Sequence, residues 1–151
     1  MAKIYWFTGQ PGHGKTVLAK KLVEFLQTEK RNWRKQVFHL DEEEIKQITE
    51  IKNNTEITQT IVEFLYKNDS DVVVSHTSPN RKIRDFFKEK IGEEDFEEFY
   101  VHTTQKRDKE KSRIKEYEPP QSKYFDIDTT KDNPIQSFNK IVHYLTENNS
   151  I

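Results

Sequence analysis

Eight residues near the start of the chain, Gly9-Gln10-Pro11-Gly12-His13-Gly14-Lys15-Thr16, restrict the fold more than any others. They spell G-x-x-x-x-G-K-T, and their flanks supply the strand and helix that such a loop requires. Lys3-Ile4-Tyr5-Trp6-Phe7-Thr8 is apolar and aromatic enough for a buried strand. Leu18, Ala19, Leu22, Val23, Phe25 and Leu26 recur at helical spacing and make one apolar face. Glycines let the backbone curl until successive N–H groups converge on an anion. A helix beginning near Gly14 adds its own unpaired N–H groups and its positive end. The stretch from Gly9 to Val17 therefore reads as a cradle for a nucleoside triphosphate, ATP, with His13 as a spacer. Lys15 spans the β- and γ-phosphates, and the Thr16 hydroxyl holds Mg²⁺.

The pattern beyond the loop alternates between strand and helix. A second strand runs through Gln36-Val37-Phe38-His39-Leu40 and ends at Asp41; a polar region follows as far as Asn54. Asn54 or Thr55 caps a helix with Ile57, Ile61, Val62, Phe64 and Leu65 on its inner side, stopped by Asn68-Asp69-Ser70. Asp71-Val72-Val73-Val74-Ser75 is a central parallel strand, its unbroken valines implying cover on both faces. Ser78-Pro79 offers a cap and first-turn proline to a helix that buries Ile83, Phe86 or Phe87, and Ile91, and ends at Gly92. Phe96 to Val101 and Lys123 to Ile127 make two more strands. Asp132-Asn133-Pro134 opens a last helix carrying Ile135, Phe138, Ile141, Val142 and Leu145. The expectation is a single α/β domain over 1–151, an open five-stranded mostly parallel sheet with helices on both faces. The charged, apolar-poor run 105–118 reads as a mobile helical lid.

Charge and composition narrow the function classes. Lys and Arg number 25 against 26 Asp and Glu, so no overall field draws the chain to nucleic acid or membranes. The basic stretch Lys30-Arg31-Asn32-Trp33-Arg34-Lys35 reads accordingly as a polar turn. Cysteine is absent, which excludes disulfides, thiolate metal sites and a cysteine nucleophile. His39, His76, His102 and His143 lack metal-ligand spacing. A mean hydropathy of -0.99 implies a small core under a charged shell. With no apolar segment of membrane-spanning length, a cytoplasmic protein is expected, where ATP is available; a homodimer stays open.

Asp41 stands at the C-terminal end of its strand, where open parallel sheets place ligand groups. A carboxylate there orients an acceptor hydroxyl, takes its proton, or holds a water on Mg²⁺. It equally suits the cap of a helix starting at Glu42-Glu43-Glu44. Ser75, ending the valine strand, cannot supply the magnesium-binding carboxylate of many P-loop ATPases, which shifts weight to Asp41. Arg81 and Arg84, three apart, share a helix face where their guanidinium forks suit the phosphate or sulfate of an anionic or nucleotide acceptor, or else pair with Asp85 and Glu89. Lys106, Arg107, Lys109, Lys111 and Arg113 either close over the phosphates and exclude water, or form a solvated face.

Several motifs together resemble the adenylylsulfate kinase family of P-loop kinases. The family's Leu-Asp-Gly-Asp is similar to Leu40-Asp41-Glu42-Glu43, and its Ser-Pro-Tyr-Arg segment to Ser78-Pro79-Asn80-Arg81. Its late Tyr-Glu-x-Pro and Asp-Thr resemble Tyr117-Glu118-Pro119-Pro120 and Asp128-Thr129. The resemblance implies a kinase that phosphorylates the 3′-hydroxyl of adenylylsulfate or a related nucleotide, with Asp41 and Glu43 at the acceptor. It also implies a role for Arg81 at the acceptor and for a catalytic lid arginine. Arg107-Asp108 fits the family's lid signature in one register. A second register aligns Lys111-Ser112 and brings Tyr117 onto the lid tyrosine, with Arg113 as the nucleotide-binding arginine. The departures are local. Glu42 replaces a glycine, no arginine lies between Glu43 and Ile61, and Asn80 replaces a tyrosine. Another nucleoside, nucleotide or polynucleotide acceptor, or a nucleotide-binding module without catalysis, are the competing readings.

Overall fold

The computed structural model describes residues 2–28, 36–107 and 113–151. In chain order these form β1 (Ile4–Thr8), α1 (Lys15–Thr28), β2 (Val37–Asp41), α2 (Glu42–Thr49) and α3 (Thr55–Lys67). Then follow β3 (Asp71–Ser75), α4 (Arg81–Ile91), β4 (Phe96–His102), β5 (Phe125–Asp128) and α5 (Pro134–Glu147). The five strands make one sheet in the order β2-β3-β1-β4-β5, with every neighbouring pair parallel. The expected open α/β architecture is the one observed.

Side-chain alternation along each strand divides the core in two. Tyr5, Phe7, Val73, Phe99 and Val101 face α1 and α5, where Leu18, Leu22, Ile141 and Leu145 meet them. Ile4, Trp6, Val72, Val74 and Phe96 face α3 and α4, meeting Val62 and Phe87. All five residues of β1 are buried, as a strand covered on both sides must be. Each large apolar side chain so buried contributes roughly 1.5–3 kcal/mol.

Several local expectations are corrected. The polar region after β2 opens with the helix that Asp41 was suited to cap: Glu42–Thr49 forms α2, with the Asp41 side chain accepting from the Glu43 N–H. Residue 78 does not start α4. Ser78 sits at φ 47° and its hydroxyl accepts from Trp6 Nε1 at 3.1 Å, while Asn80 caps the helix by accepting from Ile83 N. Trp6 and His76 thus claim the hydroxyl that the sequence offered to a helix, and the proline falls outside the first turn. On α3 the inner positions are Thr55, Thr58 and Val62, leaving Phe64 exposed; on α4, Phe87 points in and Phe86 out. Ile135 is exposed on α5. The described residues of 105–118 contain bends and a turn but no helix. The basic stretch 30–35 and residues 108–112 of the lid lie outside the described residues.

The inward stripe of α4 also carries charge. Arg84 and Lys88 are buried, one turn apart, against Glu98 of β4, which has Phe96 and Tyr100 as its neighbours on the same face of the strand. Glu98 accepts from Arg84 Nε at 3.2 Å and from Lys88 Nζ at 2.6 Å, so the carboxylate is paired on both oxygens.

Candidate functional site

The C-terminal ends of β1, β2 and β3 meet the phosphate loop. Leaving β1, the chain passes so near β4 that a Cβ on Gly9 would lie 2.1 Å from the Val101 carbonyl oxygen, at φ 149°; only glycine fits there. The loop then curls over itself. Lys15, at the start of α1, is buried, and its ammonium donates to the carbonyls of Gly9 and Gln10 at 2.8 Å each. The Gly12 and Gly14 backbones also take positive φ. His13 is buried, and its carbonyl accepts from Thr129 Oγ1 at 3.1 Å, so it anchors the loop by its backbone.

The next residue joins the loop to β2. Thr16 Oγ1 donates to Asp41 Oδ1 at 2.7 Å, and Ser75 Oγ donates to the same oxygen at 2.6 Å. Glu43 N donates to Asp41 Oδ2 at 3.1 Å. Burial pushes the Asp41 carboxyl upward, but the bonds from Ser75, Thr16 and the Glu43 backbone outweigh it and hold Asp41 below the usual carboxylate range. Asp41 is therefore ionised, and it caps α2 while facing the phosphate loop. A neutral hydroxyl beside an ionised carboxylate is a pair of hard oxygen donors of the kind Mg²⁺ or its water ligands take. Ser75 Oγ, whose hydrogen points at Asp41, accepts from His39 Nε2 at 2.8 Å. Among the described residues no group of three or more His, Cys, Asp or Glu is placed to hold a metal by itself.

The other carboxylates diverge. Glu43 is exposed and reaches Lys46 at 3.5 Å, as a first-turn helix glutamate does. Glu42, half-buried, turns toward the loop after β3, where its Oε1 accepts from Thr77 N at 3.0 Å and Thr77 Oγ1 at 2.8 Å. Its other oxygen lies 3.9 Å from His76 Nε2. His76 is buried, accepts from Ser78 N on Nδ1 and meets the Asn54 side-chain oxygen through Nε2. Burial pushes the His76 imidazole down to about 4, against the opposing pull of Glu42, so it is neutral near pH 7.

Arg81 and Arg84 occupy the first turns of α4 but do different work. Arg84 is buried and spent: besides Glu98, it donates to Ser78 O at 2.5 Å and Glu118 O at 2.6 Å, with its guanidinium 5.4 Å over the Tyr117 ring. Arg81 donates to Pro119 O at 3.2 Å and lies 4.0 Å from Glu118 Oε2, at a partly open position.

From the lid side, Arg107 donates to Thr129 O at 3.0 Å and borders a cavity of about 110 Å³ with Gly14, Val17, Leu18, Asp132, Pro134 and Ser137. Arg113 is exposed; Lys109 and Lys111 fall outside the described residues. Tyr117 stacks on Tyr100 with 6.1 Å between ring centroids, and its hydroxyl meets Thr8 Oγ1 at 2.9 Å. Gln10 holds Ile114 through both ends of its amide.

Of the residues singled out in the sequence, the structure brings Thr16 onto Asp41, with Lys15 preceding Thr16 in the loop. Sequence reasoning passed over Glu98, Tyr117's partner Thr8, the Gln10–Ile114 link, and the knot of Glu42, Thr77, His76 and Asn54. Glu98 was detectable: strand alternation puts it on the face of Trp6 and Phe96, opposite two cations one helical turn apart. The others depend on which loops meet, and no local pattern encodes that.

Residues 1–114 match the family described as Nephrocystin 3, N-terminal. The chain is 31% identical over 169 residues to the adenylyl-sulfate kinase of Halothermothrix orenii, covering 94% of this chain and 88% of that protein. The structure of the Mycobacterium tuberculosis APS kinase CysC in complex with AMPPNP and APS matches with a TM-score of 0.77 at 16% identity, over 96% of this chain and 98% of that one. A gluconokinase from Sinorhizobium meliloti 1021 matches with a TM-score of 0.65 at 14% identity, over 97% and 92% of the two chains. At those identities the two solved structures speak to the fold. No helix among the described residues is long and apolar enough to cross a membrane.

Proposed function

We propose, from the premise that the chain belongs to the adenylyl-sulfate kinase-like P-loop kinases and, over residues 1–114, to the Nephrocystin 3, N-terminal family, that it transfers the γ-phosphoryl group of ATP to a hydroxyl of a small molecule. The observation that carries this reading is the Thr16–Asp41 contact, which sets an ionised carboxylate beside the phosphate loop without the help of a second aspartate.

The residues divide the task as follows. Backbone N–H groups from Gly9 to Thr16 and the start of α1 hold the phosphates. Lys15 exchanges its two loop carbonyls for phosphate oxygens and offsets the charge gathering on the transferred group. Thr16 and Asp41 suit Mg²⁺, which when bound neutralises charge on the β- and γ-phosphate oxygens. Arg107, already oriented by Thr129, adds a second cation on the open side, with Arg113 as a further lid contact. Asp41 orients the acceptor hydroxyl and takes its proton as the new O–P bond forms and the bond to the ADP leaving oxygen breaks. Such an enzyme works where ATP is, in the cytoplasm.

The acceptor best supported by the resemblance is the 3′-hydroxyl of adenylylsulfate or a related nucleotide, with Arg81 and Glu43 at its rim. A second reading, transfer to a less anionic hydroxyl compound, is favoured by one observation: Arg84 is committed to Glu98, Ser78 and Glu118. The deciding experiment follows label from γ-labelled ATP into a panel of adenylylsulfate, nucleosides, nucleoside monophosphates, gluconate and 5′-hydroxyl oligonucleotides. Transfer that depends on Asp41 supports a kinase. ATP binding with no transfer to any member would leave only a nucleotide-binding module.

A further inference from the structure

Ser75 ends β3, where many P-loop ATPases carry a magnesium-binding carboxylate, and it pairs across the sheet with Asp41 of β2. Here the carboxylate stands one strand over, and the serine reaches across to it. Ser75 Oγ donates to Asp41 Oδ1 at 2.6 Å. Strand alternation puts His39, Asp41, Val73 and Ser75 on one face of the sheet, the face that packs on α1. On that face His39 Nε2 lies 2.8 Å from Ser75 Oγ, and Thr16 Oγ1 of α1 lies 2.7 Å from Asp41 Oδ1. Ser75 is 1% exposed and closed to bulk water.

The hydrogens along this chain of groups run one way. An ionised carboxylate accepts and never donates, so the hydrogens of Thr16 and Ser75 both lie on Asp41. Ser75 Oγ then has only lone pairs to offer His39, which must face it with Nε2–H. His39 in turn keeps the serine from swinging its hydrogen away from Asp41. The result is a directed relay from His39 through Ser75 to Asp41, in which each bond polarises the next. Oδ1 is held by two hydroxyls, and the Glu43 N–H at 3.1 Å holds the other oxygen. A threonine whose hydrogen is kept on a fixed oxygen turns its lone pairs away from that oxygen. Those lone pairs and the carboxylate are the hard donors that suit Mg²⁺.

From this geometry we infer that Ser75 and His39 are positioning residues for the metal half of the nucleotide site: they hold Asp41 on Thr16 and so set how strongly Mg²⁺ adds to ATP binding. The inference rests on the nucleotide-binding reading above. It goes past that reading by giving a task to two residues that themselves touch neither nucleotide nor metal. Outer partners of this kind typically contribute about 10–100-fold to metal affinity.

Calorimetry on the full chain, with ATP in excess Mg²⁺ and with ATP in EDTA, measures what the metal adds. In Ser75→Ala, affinity for Mg-ATP should fall about tenfold, the lower end of that range, with metal-free ATP bound as in the wild type. His39→Leu removes the N–H and should lose part of the same increment. His39→Gln keeps an N–H at similar reach and should retain it. Wild-type Mg-ATP affinity in Ser75→Ala overturns the inference, as does wild-type affinity in His39→Leu. A loss in His39→Gln equal to that in His39→Leu overturns the relay, since the N–H would not matter. Equal loss with and without metal overturns the inference as well, because the residue would then act through the fold. Wild-type protein that gains nothing from Mg²⁺ overturns it but leaves the phosphate loop as a nucleotide site. Wild-type protein that binds neither form of ATP refutes the nucleotide-binding reading itself.

Discussion

Gln10 and Ile114 are joined by both ends of a single amide: Gln10 Nε2 donates to the Ile114 carbonyl and Gln10 Oε1 accepts from the Ile114 N–H, each at 2.8 Å. A side chain of the phosphate loop thus pairs with the backbone at Ile114 as a neighbouring strand would. The same limb of the lid is tied on its far side to the loop after β3, where Glu118 N donates to Pro79 O at 2.9 Å. The residues after 113 consequently bridge the phosphate loop and the loop after β3.

Removing that amide should loosen the segment from 113 to 118 without unfolding the sheet. In Gln10→Ala, hydrogen exchange at the Ile114 amide is expected to quicken about tenfold, the order of one lost hydrogen bond. Exchange in β1 and β3 should stay as in the wild type. Equal protection of Ile114 in both proteins would mean that the link carries no energy.

Lys15 donates two charge-assisted bonds from a buried position, and the phosphates compete for them. Lys15→Ala should weaken Mg-ATP binding by roughly 10–100-fold, corresponding to about 1.5–3 kcal/mol for bonds to a charged group. Circular dichroism of the variant should match the wild type. Wild-type affinity in calorimetry would remove Lys15 from the site.

Asp41 tests the chemistry when transfer is measured at saturating Mg-ATP, so that a change in metal or nucleotide affinity does not enter the rate. Asparagine keeps an oxygen for the Glu43 N–H and so preserves the α2 cap, but it cannot accept a proton. Asp41→Asn should retain ATP and lose about 10²–10⁴-fold in transfer rate. Transfer at the wild-type rate would reduce Asp41 to its capping role.

His76 makes stability pH-dependent in a defined window. Its folded pKa of about 4 lies below the ordinary 6.5, so the unfolded chain binds the proton first as pH falls. Stability is full above 6.5 and is lost on the way down toward 4, by roughly 2 kcal/mol at pH 5. Glu42, also held low chiefly by His76 and Thr77 against its burial, adds its own loss in the range below the ordinary glutamate value. Lys15, Lys46 and Asp41 also act on the ring, the lysines lowering and the aspartate raising its pKa. Urea unfolding at pH 7 and pH 5 should show a difference that shrinks by about that amount in His76→Gln; an undiminished difference would assign it to other groups.

The sheet was legible because its signals are local. The phosphate-loop motif, the unbroken valines of β3 and the Asn133 cap each announce an element from a few adjacent residues. Asp41 was legible as a candidate because a strand's C-terminal end has a known place in an open sheet. What failed to show depends on distant partners. Ser78-Pro79 resembles a helix start, yet Trp6, 72 residues earlier, takes the serine hydroxyl and the helix waits for Asn80. Arg84 reads as a surface arginine near an anion until Glu98 is found opposite it. Phe64 counts as core by periodicity but points outward, because Thr55, Thr58 and Val62 occupy the inner stripe of α3; on α4 the sequence left Phe86 and Phe87 as alternatives, and Phe87 joins Arg84 and Lys88 on the inner stripe. Hydrophobic period sets which face a helix turns inward only when the facing surface is apolar.

Adenylylsulfate should be a poor acceptor, and Glu42 should be the reason. The carboxylate stands one residue from Asp41, is pinned by Thr77, and lies 3.9 Å from Lys46 on the solvent side and 3.9 Å from the neutral His76 ring. Arg84, the buried cation of α4's first turns, is already neutralised by Glu98. An anion approaching Asp41 meets the negative charge of both carboxylates, and two like charges a few ångströms apart near a protein surface repel by a few kcal/mol at most. Glu42→Gln keeps the oxygen that Thr77 needs while deleting the charge. Steady-state kinetics should therefore show KM for adenylylsulfate falling about tenfold in the variant, with kcat little changed because Asp41 is untouched. An unaltered KM would place the Glu42 charge outside the acceptor's path, and efficient wild-type turnover at low micromolar adenylylsulfate would show that the site tolerates it.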